Sequence, residues 1–395
     1  MAIDVGSYDP LGESTSEHLW SELAELRGLP VSRTELYGGL WMLTRYEDVR
    51  DAFRDWQTFC SSRGASPVPN AASEVRMLPI ETDPPVQREF RRLIDRHFAP
   101  KTLAAKDAER QVREIAVSLM DRFVSRGQCD FVADFAERYP AQAFFQFAFG
   151  VGPEETAKVM HWLDQTLRRP HEAAEARRSF LAWTRTMLDL RRNGEGRDDV
   201  LGSLLTGTVE GRELTDSERM RALMNIITGG IETTIQVLGN IVYHLASQPT
   251  LRRRLQEEPE LLEPAIEEFL RYEAPAPGNG RAATCPVQVG EAQIGEGDRV
   301  ILYAASANRD PEAYDEPDEI RLDRFVAGAT PHLTFGLGPH RCPGSHFARL
   351  ELRVAVQEVL RRMPDLRLAT EDIKYRSGIT RGPVSLPVLF TATEA

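Results

Sequence analysis

Apolar residues recur at helical spacing through most of the chain between Pro84 and Tyr272. The longest such stripe predicts one helix over about Asp216–Ser247. Its apolar positions are Met220, Leu223, Met224, Ile227, Ile231, Ile235, Leu238, Val242 and Leu245. A stripe of this kind is typical of a helix that buries one face in a protein core.

Strand-like patterns are short and lie nearer the two ends. Leu36–Thr44 predicts a hairpin around its two glycines, and strand character returns in Cys285–Leu302 and near Val384–Phe390. No internal repeat, low-complexity run or linker divides the chain. We therefore expect a mainly α protein with small β-sheets, built as a single domain over residues 1–395.

Two features precede the long helical region. The loop Cys60–Pro79 is rich in Ser, Pro, Ala and Asn, which predicts an irregular segment suited to covering a substrate. Asp83 then precedes Pro84 and Pro85 in the arrangement expected for a helix N-cap, since proline is tolerated in a first helical turn.

Charge and cysteine content exclude several classes of function. The net charge of −12 argues against nucleic acid and anionic membrane as main partners. Residues 1–20 have neither a basic region nor a long apolar run, which predicts a cytoplasmic protein without a membrane anchor. The cysteines show no CxxC pairing, so neither a disulfide scaffold nor a zinc site is indicated.

The segment Phe335–Gly344 carries the strongest chemical signal, a glycine-rich turn with Cys342 just before a helical stripe. Gly336 and Gly344 allow the backbone to approach a flat macrocycle closely. The N-terminus of the following helix favours a thiolate at Cys342. Thiolate ligation of haem iron favours O–O cleavage. The alternative is a buried, inert cysteine in a turn.

A second signal lies inside the long helix, at Gly229-Gly230-Ile231-Glu232-Thr233. Each glycine costs about 1 kcal/mol in a helix interior, so the pair indicates space for a small molecule. The carboxyl of Glu232 beside the hydroxyl of Thr233 suits a proton relay. The alternative is an exposed glutamate next to a hydroxyl that hydrogen-bonds back to its own helix.

Taken in order, these segments resemble the cytochrome P450 family over nearly the whole chain, from Leu36 to Leu389. The resemblance implies the single-domain P450 fold and a haem b cofactor whose iron is bound by Cys342. It implies that Glu232 relays protons and that Thr233 hydrogen-bonds the bound oxygen. The family often has aspartate where Glu232 stands.

The resemblance also implies roles for residues that are weak signals alone. Gln87, Arg91, Arg281 and His340 match positions that bind the haem propionates. Further positions expected to border the haem are Phe335, Gly336, Gly344 and Gly229. A helical Glu/Arg pair three residues apart is common and usually solvated. In this order, however, Glu268, Arg271 and Arg324 match the family's buried structural network.

The function implied is that of a soluble bacterial monooxygenase, which activates O₂ with two electrons from an external redox partner. It would hydroxylate, O-demethylate or desaturate a small, mostly apolar substrate such as a terpenoid, aromatic or secondary metabolite. Candidate substrate contacts are Asn225, Thr228, Pro277, Asn279 and Ile379. A peroxide-driven haem-thiolate enzyme and a non-catalytic haem sensor remain alternatives.

No flavin or nicotinamide domain is evident in the 395 residues, so electrons must come from outside. Arg88, Arg92 and Arg96 recur every four residues along one helix face, and Arg341 adjoins Cys342. This cluster is expected to dock an acidic ferredoxin or flavodoxin, served by its reductase. The alternative is an ordinary solvated arginine stripe.

Overall fold

The structure is a computed structural model that describes residues 5–68, 76–168, 174–194, 197–326, 328–376 and 378–393. Residues 69–75, which belong to the loop expected to cover the substrate, lie outside that description. Within it, none of the helices has the length and apolar composition needed to cross a membrane.

α-Helices are the main secondary structure of the described residues, as the sequence predicts. They are α1 Glu13–Gly28, α2 Tyr46–Arg54, α3 Val86–Phe98, α4 Pro100–Ala105, α5 Ala108–Met120, α6 Tyr139–Phe149, α7 Pro153–Arg168, α8 Ala174–Arg192, α9 Val200–Thr206, α10 Asp216–Ser247, α11 Pro249–Glu257, α12 Leu262–Glu273, α13 Ala304–Ala307 and α14 Ser345–Arg362.

The strands are short and form small sheets. They are β1 Ser32–Thr34, β2 Leu40–Leu43, β3 Phe59–Cys60, β4 Gln128–Asp130, β5 Thr208–Val209, β6 Arg212–Glu213, β7 Asn279–Ala283, β8 Val287–Val289, β9 Ala292–Ile294, β10 Arg299–Leu302, β11 Arg367–Leu368 and β12 Pro387–Leu389. The largest sheet has the order β1-β2-β10-β7-β3, in which β2 and β10 are parallel.

Helix α10 occupies the predicted range and packs against α6, α12 and α14. Its start is fixed by a capping box: the Thr215 hydroxyl accepts from the Glu218 amide, and the Glu218 carboxylate accepts from the Thr215 amide. Apolar residues from α5, α6, α10 and α14 share the main core cluster. The helix continues without interruption through Gly229 and Gly230.

Two local predictions differ from the structure. The hairpin begins earlier than expected, since β1 pairs Ser32 with Met42 and the turn occupies Leu36–Gly38. The N-cap assigned to Asp83 is wrong, because α3 starts at Val86. The Asp83 carboxylate instead accepts hydrogen bonds from the backbone amides of Ser61 and Ser62, at 2.9 and 3.2 Å.

Candidate active site

A tight turn presents Cys342 at the start of α14. Gly336 and Gly338 adopt φ values of +62° and +66°, a region that favours glycine. The turn is closed by the Cys342 amide, which donates to the Phe335 carbonyl at 2.8 Å. The Cys342 sulfur accepts a hydrogen bond from the Gly344 amide, one residue before α14 begins.

The environment of the Cys342 sulfur suits a metal-bound thiolate. Burial raises the pKa of this thiol, while the Gly344 amide and the positive charges of Arg91, Arg341 and Arg349 act in the opposite direction. Because burial dominates, a thiolate here requires a bound cation to be stable. An iron-centred macrocycle supplies such a cation.

The predicted propionate site contains an unmatched buried cation. Arg281 is 4% exposed. Its guanidinium donates to the Gly280 carbonyl at 2.7 Å and lies 5.6 Å from the centre of the Phe53 ring. Among the described residues no carboxylate forms an ion pair with it. Burial lowers the pKa of Arg281 to about 10, so it remains charged at neutral pH and an anionic group would compensate it.

His340 adds a second unsatisfied group. Its Nε2 is buried, has no hydrogen-bond partner among the described residues, and lies 3.6 Å from the nearer oxygen of Asp83. A cationic guanidinium and a buried imidazole nitrogen are a donor set that fits haem propionates. The residues present therefore fit haem.

Gln87 and Arg91 hold the cysteine loop itself. Gln87 Nε2 donates to the Pro339 carbonyl at 2.6 Å, and Arg91 Nη1 donates to the same oxygen at 3.1 Å. Arg91 Nε also contacts Asp95 at 2.6 Å. In this structure both side chains thus connect α3 to the residue that precedes His340, a position that the sequence pattern does not reveal.

Helix α10 is tightly packed on one side and open on another. A Cβ atom added at Gly230 would lie 2.8 Å from the ring of Phe144, whereas one added at Gly229 would meet nothing within 4 Å. Thr233 lies one turn after Gly229, and its hydroxyl donates to the Gly229 carbonyl at 3.2 Å. The open side therefore has room for the face of a ligand beside the Thr233 hydroxyl.

Glu232 is held by two side chains, one on its own helix and one distant in the chain. Arg376 Nη1 donates to its Oε1 at 3.0 Å, and Gln236 Nε2 donates to the same atom at 2.7 Å. Gln236 follows at helical spacing and could have been found from the sequence. Arg376 is 144 residues away, and no local pattern indicates it.

The structure brings Glu268, Arg271 and Arg324 together. Arg271 makes two contacts of 2.8 Å with the Glu268 carboxylate, and Arg324 Nε lies 3.0 and 3.1 Å from the same oxygens. Arg271 also donates to the carbonyls of Asn308, Pro317 and Glu319. The network thus connects α12 to the long segment that leads into the cysteine loop.

The substrate candidates differ in how available their polar groups are. The Thr228 hydroxyl is engaged by the Met224 carbonyl at 2.8 Å, whereas the side chains of Asn225 and Asn279 make no hydrogen bond within the described parts of the chain. The Pro277 carbonyl accepts from Ala305, which fixes its backbone. Ile379 is 54% exposed.

The candidate docking arginines lie near the cysteine loop. Arg88, Arg92 and Arg341 are exposed. The first two line a shallow concavity of about 470 Å³ together with Pro339. Arg96, on the same helix face, is instead engaged by Asp198 at 3.0 Å.

The fold and the residues of this site fit a haem-thiolate oxygenase. The family model described as Cytochrome P450 matches residues 156–364. The chain is 31% identical to Cytochrome P450 107B1 of Saccharopolyspora erythraea, over 92% of this chain and 93% of that protein. The chain belongs to the cytochrome P450 family.

Other relatives cover the chain to a similar extent. Steroid C26-monooxygenase of Mycolicibacterium smegmatis is 32% identical over 89% of this chain and 88% of its own. Mycinamicin IV hydroxylase/epoxidase of Micromonospora griseorubida is 31% identical over 94% of each. The structure of CYP109Q5 from Chondromyces apiculatus superposes with a TM-score of 0.88 at 28% identity, covering 99% of this chain and 100% of that one. The chain is accordingly a cytochrome P450 monooxygenase with haem b as cofactor.

Proposed function

We propose that this chain is a single-domain bacterial monooxygenase that receives two electrons from a separate ferredoxin or flavodoxin and its reductase. Its substrate is a small, mostly apolar organic molecule, and one substrate, one O₂, two electrons and two protons give the hydroxylated product and water. O-demethylation and desaturation follow from other substrate poses. The partly buried Cys342 sulfur, held by the Gly344 amide at the start of α14, carries this proposal.

The described residues divide into groups that would hold the cofactor. Cys342 would bind the iron, and the buried cations and donors of Arg281 and His340 would meet the propionates. Phe335, Gly336 and Gly344 would border one face, and the open space beside Gly229 would admit the other. When bound, the haem supplies the iron that activates dioxygen, and the thiolate favours O–O cleavage.

Proton delivery is assigned to Glu232 and Thr233. The Thr233 hydroxyl lies one helical turn after the Gly229 gap and can hydrogen-bond an oxygen atom there. Both partners of Glu232 bind Oε1, so Oε2 is the atom that can take a proton from solvent and pass it inward. A positioned carboxyl group of this kind contributes about 10²–10⁴-fold to a proton-dependent step.

The substrate would meet two amides in largely apolar surroundings. Asn225 and Asn279 offer carboxamides that make no hydrogen bond among the described residues; Met224 adjoins the first and Pro277 lies two residues before the second. Ile379 is a further apolar candidate from a distant part of the chain. This combination suits a terpenoid, aromatic or other secondary-metabolite scaffold that carries an oxygen or nitrogen function. Relatives named for a steroid and for mycinamicin IV support the same class.

Electron delivery is assigned to the cysteine-loop face. Arg88, Arg92 and Arg341 present positive charge beside that loop on a chain whose net charge is −12. An acidic redox protein would be steered to this face because of complementary charge.

The experiment is a ligand screen followed by turnover. Compounds that shift the Soret band of the holoenzyme are incubated with ferredoxin, reductase, NADPH and ¹⁸O₂. The proposal predicts product with one labelled oxygen from at least one compound. Product with hydrogen peroxide but never with O₂ and electrons would favour the peroxide-driven alternative. No product under either regime would favour a haem sensor.

A further inference from the structure

The segment that follows Arg376 is in direct contact with α10. The Asn240 side chain donates to the Arg381 carbonyl at 3.2 Å. A Cβ atom added at Gly382 would lie 2.2 Å from Oε1 of Gln236 and 2.9 Å from its Cα, so the two backbones approach too closely for any side chain there. The segment is thus fixed to the same stretch of helix that carries Glu232.

Arg376 itself forms an ion pair with α10. Its guanidinium lies 3.0 Å from Oε1 of Glu232, and the two side chains are 21% and 28% exposed. A second carboxylate, that of Glu137, lies 3.9 Å from Arg376. A partly buried pair is screened less by water than a surface pair, so it holds its geometry more strongly.

Only one of the two carboxylate oxygens of Glu232 accepts hydrogen bonds among the described residues. Arg376 and Gln236 both donate to Oε1, and no donor from the described residues reaches Oε2. Fixing one oxygen in this way restricts rotation of the carboxylate and leaves the other oxygen available for proton exchange.

We infer that Arg376 is a positioning residue for proton delivery: it holds Oε1 of Glu232 so that Oε2 exchanges the proton. The inference deepens the proposed function, since it rests on the proton-relay role of Glu232.

The test compares Arg376→Gln with Arg376→Lys, and with Lys374→Gln as matched control. Lys374 carries the same charge two residues earlier, is 74% exposed and pairs with Asp372. Each variant is assayed with a substrate identified in the ¹⁸O₂ screen, driven by O₂, ferredoxin and reductase, and separately by hydrogen peroxide, which brings its own oxygen, electrons and protons. The readout is the ratio of the two rates.

We expect Arg376→Gln to lower the O₂-driven to peroxide-driven ratio about tenfold, the size typical of one coupled charge pair. Arg376→Lys should recover most of the loss, and Lys374→Gln should match wild type. In a Glu232→Gln background, Arg376→Gln should change the ratio less than about twofold. A wild-type ratio in Arg376→Gln, or a full loss in the Glu232→Gln background, would overturn the inference and leave the monooxygenase assignment intact.

A second readout needs no turnover. Hydrogen exchange of the holoenzyme should show faster exchange of amides in residues 378–383 for Arg376→Gln and, to the same extent, for Glu232→Gln. Arg376→Lys should show wild-type exchange. Unchanged exchange in Arg376→Gln would overturn the inference whatever the turnover data show. Failure of the proposed function is distinct, because the wild-type holoenzyme itself would then yield no product in the ¹⁸O₂ screen.

Discussion

The guanidinium of Arg271 and the carboxylate of Glu268 form a bidentate ion pair in which neither side chain is exposed, with both N···O distances at 2.8 Å. They lie on one face of α12 and, with Arg324, connect it to the segment before the cysteine loop. A pair this deeply buried depends on both partners, because a single remaining charge has no water to solvate it.

Substitution of Glu268 should therefore strongly destabilise the folded protein. Glu268→Gln leaves Arg271 buried without a counter-charge, and we expect the free energy of unfolding to fall by about 3–5 kcal/mol. Urea unfolding of the holoenzyme measures this. Arg110→Ala is the control, since Arg110 forms the same kind of helical pair with Asp107 but both side chains are 60% exposed. A Glu268→Gln variant as stable as Arg110→Ala would contradict the structural role.

Arg281→Met should affect the holoenzyme and the apoprotein in opposite directions. Loss of charged hydrogen bonds worth about 1.5–3 kcal/mol should speed haem transfer to apomyoglobin about 10- to 100-fold. Burial lowers the pKa of Arg281 to about 10, so its charged form destabilises the folded apoprotein at every pH below that value. The apoprotein of Arg281→Met should thus unfold at higher urea than wild type near pH 7. An unchanged rate of haem transfer in Arg281→Met would show that Arg281 does not bind a propionate.

Charge reversal at Arg88 and Arg92 should slow electron transfer from an acidic ferredoxin. Both side chains are exposed beside Pro339, so they are placed to act on association. We expect about a tenfold lower second-order rate at low salt and a weaker dependence on ionic strength. Stopped-flow reduction measures both. The control is charge reversal at Arg138, which is exposed but lies outside this concavity. If the Arg88/Arg92 variant and the Arg138 variant behave identically, docking is not specific to the cysteine-loop face.

Much of this architecture follows from local sequence patterns. Helix α10 has the predicted bounds because its apolar stripe is long and its start is marked by a capping box that the sequence itself displays at Thr215 and Glu218. The cysteine turn is equally local, since Gly336 and Gly338 adopt the positive φ values that the segment requires.

What could not be predicted depends on residues far apart in the chain. Asp83 satisfies every local requirement of an N-cap, yet its carboxylate accepts hydrogen bonds from the amides of Ser61 and Ser62 instead. Strand β7 lacks a clear alternating pattern but pairs with β10 and β3 inside the largest sheet. Arg376 reaches Glu232 across 144 residues. Such contacts arise from the packing of whole elements, which periodicity does not encode.

The residue after the thiolate offers a test of the sulfur's electronics. Gly344 donates an amide hydrogen bond to the sulfur, whereas Pro343 has no amide hydrogen to donate. Pro343→Leu should add a donor worth about 1 kcal/mol, which corresponds to about 40 mV for one electron, and so raise the iron reduction potential. Pro343→Ala should give the same rise, since only the amide matters. Spectroelectrochemistry that finds an unchanged or lower potential would refute this account.

The most direct measurement is the absorption spectrum of the reduced, carbon monoxide-bound protein, for wild type and for Cys342→His. Wild type should show the red-shifted Soret band of thiolate ligation, and the variant should show the band of imidazole ligation instead. A wild-type spectrum without the thiolate band, or a Cys342→His spectrum that retains it, would contradict the assignment of Cys342 as the iron ligand.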